Sequence, residues 1–108
     1  MSLDGPTLCL ALRGDIDFTN SRSITLAIRE AVVQSRPKLV RVDVAEVAFL
    51  DSSGLGALVA ALRVATDCGA AFRVERPNAN VCDQFEIAGL LEIFGVAGSE
   101  GGRGGAGR

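Results

Sequence analysis

The 108-residue chain has no histidine, one lysine and three cysteines, and each shortage closes off a chemistry. Without histidine the commonest general base is missing, so a serine acting as this chain's own nucleophile lacks a group to take its proton. Lys38 stands alone against ten arginines, which leaves almost no scope for lysine chemistry. Cys9, Cys68 and Cys82 are odd in number and form no Cys-x-x-Cys pair, which argues against a disulfide framework and a zinc site. They read as small buried hydrophobes in a reducing compartment. No stretch approaches the ~18 apolar residues of a membrane span; the longest, Leu55 to Leu62, is broken by Gly56. The opening residues, MSLDGPT, lack the basic-then-apolar order of a secretion signal, so the expected location is the cytoplasm. A formal charge of −2 supplies no attraction for phosphate backbones, which makes nucleic acid a poor partner and points to proteins or small ligands.

What is present suffices for one core: 48% of the residues are hydrophobic. A single domain is expected over residues 1–97, followed by a flexible glycine-rich tail over 98–108, GSEGGRGGAGR, whose side chains offer almost nothing to bury. TLCLALR alternates leucines with other residues at the two-residue period of a strand. GDIDFTN reads as a turn and capping cluster in which Asp17 or Thr19 accepts from the first amides of a helix spanning about Asn20 to Ser35. Ile24, Ala27, Ile28, Ala31 and Val32 form the apolar face of that helix, and Pro37 closes it. KLVRVDV predicts a central strand, Ser53 to Asp67 a second helix in which Arg63 is the only charge before Thr66, AAFRVE another strand, and Asn78 to about Ala88 a third helix stopped by Gly89. LLEIF then predicts a short edge strand. The expected fold is therefore α/β, a mixed sheet of about four to five strands packed against about three to four helices.

One stretch, VAFLDSSGLGALVAAL, concentrates an acid, two hydroxyls and two glycines between apolar runs. Asp51 or Ser52 can cap the second helix, and Gly54 and Gly56 can let its backbone pack closely. A serine-hydrolase elbow requires Gly-x-Ser-x-Gly and a phosphate-cradling loop requires Gly-Lys before the hydroxyl; neither is present. Asp15, Asp17 and Asp51 are the right donors for a hard cation, but the same residues serve as turn and helix caps, and capping is favoured. Neither a metal nor a cofactor is called for, and no residue is assigned a catalytic role.

FLDSSGLGAL at Phe49 to Leu58, preceded by RGDID at Arg13 to Asp17, resembles the STAS domain family, most closely its bacterial anti-sigma factor antagonists. The likeness covers about Thr7 to Val96, and its specific element is Asp-Ser-Ser-Gly-Leu-Gly. It implies a STAS-like fold and a partner switch. The unmodified antagonist binds an anti-sigma factor that is also a serine kinase with an ATPase-like fold, which frees a sigma factor; the kinase phosphorylates Ser52, and a serine phosphatase restores it. The implied partner-binding residues are Asp17, Thr19, Asp51, Ser52, Ser53, Gly54 and Leu55. The alternative is an unmodified STAS module serving as a scaffold or ligand-binding subunit of a stress-signalling or lipid-transport complex. The likeness does not match Phe18 through Arg22 to the contact residues of any particular kinase. It departs at the C-terminal end, where such proteins commonly add an amphipathic helix and this chain runs into glycines, leaving the oligomeric state open.

Overall fold

The computed structural model describes residues 2–95, so the glycine-rich tail expected over 98–108 lies outside the described residues. The elements follow in the order β1 (Ser2–Asp4), β2 (Thr7–Ile16), α1 (Ser21–Ser35), β3 (Leu39–Leu50), α2 (Ser52–Asp67), β4 (Ala71–Glu75) and α3 (Ala79–Ile87). They build an α/β fold with one four-stranded sheet, ordered β1-β2-β3-β4. β1 is antiparallel to β2, while β2, β3 and β4 run parallel.

Two consecutive crossovers each advance one strand in the same direction. Right-handed connection therefore places α1 and α2 on the same face of the sheet. That face is apolar: Leu8, Leu10, Val40, Val42, Val44 and Val74 are buried beneath Ile28 and Val32 of α1 and Leu58, Ala61 and Ala65 of α2. α1 and α2 also pack side by side, which explains how a helix with so few charges stays covered. Residues of opposite alternation, such as Cys9, Arg41 and Arg73, are not buried. On that second face Arg41 pairs with Glu75 at 2.7 Å and Arg76 with Asp43; exposed pairs of this kind add little to stability because solvent screens them.

Four expectations are corrected. β2 continues through GDI to Ile16, and β3 continues to Leu50, each well past the end that alternation predicts. Register shifts between Ala11 and Arg13 and between Gly14 and Asp15 break the two-residue period without ending the pairing, and Gly14 takes a positive φ of 78° there. β1 was invisible because three residues are too short to show a period. LLEIF is not a strand. Gly89, at φ 73°, ends α3 with a Leu90 N–H bond to the Phe85 carbonyl at 2.8 Å, and the chain then forms a turn in which the Phe94 N–H donates to the Leu90 carbonyl at 2.9 Å. Its role is to bring Phe94 into the core, edge-on to Phe85 with ring centroids 5.1 Å apart and tilted against Phe72 at 6.0 Å. A single bond from the Val74 N–H to the Phe94 carbonyl, 2.8 Å, is what remains of strand-like pairing. Finally, neither Asp17 nor Thr19 caps α1: Asn20 stands at its N-cap and makes no side-chain capping bond.

Candidate functional site

The long C-terminal halves of β2 and β3 carry two short segments to one end of the sheet. Ile16 pairs with Leu50 in the last register position, so the loop after β2 and the turn before α2 leave the sheet side by side. The Ile16 carbonyl accepts the Asp51 N–H at 3.2 Å. A methyl group on Gly54 would come within 2.7 Å of that same carbonyl oxygen and 2.9 Å of a Leu50 methyl. Gly54 is thus glycine because α2 enters against the end of β2. A methyl group on Gly56 would meet nothing within 4 Å among the described residues, so the expectation that it too serves close packing is corrected.

Asp51 is the N-cap of α2; its backbone is extended and its Oδ1 accepts the Gly54 N–H at 3.0 Å. Replacing it with alanine is expected to cost about 1 kcal/mol, read as a small loss of melting temperature. Ser52, the first helical residue, is exposed, whereas Ser53 is half-buried, Gly54 is buried and Leu55 is half-buried against the core. The helix so begins one residue earlier than alternation and capping residues suggested. Of the two hydroxyls in the motif, Ser52 is the outward one.

The neighbouring loop is ordered by its own side chains. Asp17 Oδ1 accepts from the Thr19 N–H at 2.9 Å and from the Thr19 hydroxyl at 2.5 Å. Asn20 Oδ1 accepts the Asp17 N–H at 3.0 Å while its amide nitrogen donates to the Asp15 carbonyl at 2.9 Å. The Thr19 hydroxyl, followed by the Thr19 amide, holds the Asp17 carboxyl below its ordinary value of 3.8. A carboxyl lowered in this way supports the loop fully above its unfolded pKa and loses that contribution as pH falls through the lowered value. The Thr19 amide resonance is therefore expected to titrate with a midpoint below 3.8, and Asp17→Asn, which keeps an acceptor, is expected to abolish the titration while preserving the turn.

α3 supports the site from the far side. Its N-cap Asn78 accepts the Val81 N–H at 2.8 Å and donates to the Val47 carbonyl at 2.9 Å. One and a half turns on, the Gln84 amide nitrogen donates to the carbonyl of Leu50 at 2.5 Å, and Gln84 Oε1 is buried without a partner among the described residues. Asn78 was legible as a helix start; nothing in the sequence marks Gln84, whose partner is 34 residues away. Among the described residues, no three His, Cys, Asp or Glu side chains gather as a metal ion would require, and no helix is long and apolar enough to cross a membrane.

The sequence signature of the STAS domain matches residues 2–101. The chain belongs to the STAS domain family. Among solved structures, this STAS domain is similar to the anti-sigma factor antagonist SpoIIAA in its unphosphorylated form, at TM-score 0.66 and 20% identity, covering 81% of this chain and 79% of that one. It is similar also to the phosphorylated form of SpoIIAA from Bacillus, at TM-score 0.68 and 21% identity over 85% and 83% of the two chains. A sulfate transporter family protein from Wolinella succinogenes matches at TM-score 0.75 and 15% identity, over 89% and 80%. At these identities the likeness is one of fold, shared by regulators and transporter-associated domains alike.

Proposed function

We propose that this STAS domain is an anti-sigma factor antagonist of the bacterial cytoplasm, a binding protein rather than an enzyme. In its unmodified form it docks on an anti-sigma factor that is also a serine kinase, releasing a sigma factor. The kinase then transfers the γ-phosphoryl group of ATP to Ser52 Oγ, its own base taking the hydroxyl proton, and a serine phosphatase reverses the step. The observation that carries this reading is the placement of Ser52: outward at the first position of α2, directly after the capping Asp51, beside the ordered Asp17 loop. A phosphate at a helix entrance meets backbone amides and the positive end of the macrodipole, so the domain accommodates it without refolding. Because the catalytic base belongs to the kinase, the absence of histidine is no obstacle.

The likeness in fold to a sulfate transporter family protein favours a second reading, in which the domain is an unmodified scaffold or ligand-binding subunit of a larger complex. Incubation with ATP and each serine kinase of ATPase-like fold encoded in the same genome separates the two. The switch requires one added phosphate on intact protein, mapped to Ser52 and absent in Ser52→Ala. No modification by any of them, with Ser52→Asp still binding every partner, establishes the scaffold instead.

A further inference from the structure

Around Ser52 the chain spends large apolar side chains on solvent. Phe18, the residue after Asp17, is 76% exposed, and Ile87 of α3 is 87% exposed. Phe49, 44% exposed, lies three positions before Ser52. All three are tied to the same strand ends: Phe18 follows Ile16, Phe49 precedes Leu50, and Ile87 lies one turn beyond Gln84, whose amide holds the Leu50 carbonyl. Phe18 and Ile87, the two most exposed, contribute little to the fold.

The Phe18 backbone is nonetheless held between hydrogen-bonded neighbours. Asp17 on one side is bonded to Thr19 and Asn20, and the Ser21 N–H returns to the Asp17 carbonyl at 2.9 Å. An aromatic ring held outward on a preordered loop is what an interface anchor needs, since little conformational freedom is left to lose on binding. The surrounding charge says what kind of surface receives it. Asp15, Asp17 and Asp51 flank the patch, and among the described residues none of them is ion-paired with an arginine or lysine. A second copy docking through the same patch in two-fold symmetry would set these carboxylates against their own images, and an anionic membrane would repel them.

We propose that Phe18 is the anchor by which the serine kinase of the preceding reading grips this domain, entering an apolar socket bordered by arginine or lysine, with Phe49 and Ile87 on the socket's rim. The inference rests on that reading, and its test keeps the two apart. Wild type, Phe18→Ala and Phe18→Leu are assayed with Mg·ATP against the same set of kinases, with melting temperatures measured alongside. Loss of a buried phenyl ring at an interface is expected to raise KM for the domain about ten- to hundredfold while kcat at saturation and the melting temperature stay unchanged, Phe18→Leu falling between. Phosphorylation of wild type at Ser52 with an unaltered KM in Phe18→Ala overturns the anchor and leaves the switch standing. If no kinase modifies wild type, the switch fails and the anchor with it. Two further results overturn the assigned occupant: a sedimenting dimer that Phe18→Ala dissolves, or binding to vesicles of anionic phospholipid that Phe18→Ala abolishes.

Discussion

Gly54→Ala is expected to lower the melting temperature by roughly 12–24 °C, the largest effect of any single-methyl change in the motif. The added carbon would sit 2.7 Å from the Ile16 carbonyl oxygen, 2.9 Å from a Leu50 methyl and 3.2 Å from an Ile16 methyl. Side chains can rotate away from such a clash, but the carbonyl belongs to the last paired residue of β2 and also accepts the Asp51 N–H. Relief therefore requires moving the start of α2 away from β2, which strains the Asp51 cap as well. Overpacking against fixed backbone costs about 3 kcal/mol, and 1 kcal/mol moves the midpoint of a domain this size by about 4–8 °C. Gly56→Ala is the matched control. It is equally helical but faces open space, so gaining a better helix former raises stability by about 0.5–1 kcal/mol. Thermal melts of the two variants check the pair, and equal losses in both would mean that glycine's role at position 54 is not close approach.

Phosphorylation of Ser52 is expected to weaken binding to the partner kinase by about a hundredfold while leaving the melting temperature of the isolated domain nearly unchanged. On the proposed reading, phosphoryl transfer requires Ser52 Oγ to face the phosphates of the kinase's nucleotide, so the product dianion would meet like charge. One unit charge opposing another at ~5 Å in an effective dielectric of ~20 costs about 3 kcal/mol, which is about a hundredfold in Kd. Inside the domain the same group sits at an exposed helix entrance, where backbone amides favour an anion. Calorimetric titration of the kinase with phosphorylated and unmodified protein measures the first quantity, and parallel melts measure the second. Equal affinities would remove the switch; a large melting change would mean that the modification acts by refolding the domain.

The legible and illegible parts of the chain divide by distance along it. Alternating leucines and valines marked the cores of β2 and β3, and the 3.6-residue repeat of Ile24, Ile28, Ala31 and Val32 marked α1, because each reports a local period. Where β2 and β3 run on past their bulges, the period fails although the pairing continues, so both strand ends were lost. LLEIF misleads for a related reason: its leucines and phenylalanine suit a strand, but the αL turn at Gly89 and the aromatic contacts of Phe94 with Phe72 and Phe85 decide otherwise.

The same division runs through the site. Asp51, Ser52 and Gly54 fall within four consecutive positions, and their residue types already state a capped helix entrance with an available hydroxyl and a close approach; order along the chain is enough, since capping acts over three residues. Which serine faces outward, which glycine is indispensable, and that Phe18, Phe49 and Ile87 stay exposed depend on how β2, β3 and α3 pack at one end of the sheet. Those contacts join residues more than thirty positions apart, and no local pattern encodes them, because burial and approach distance exist only once the layers have packed.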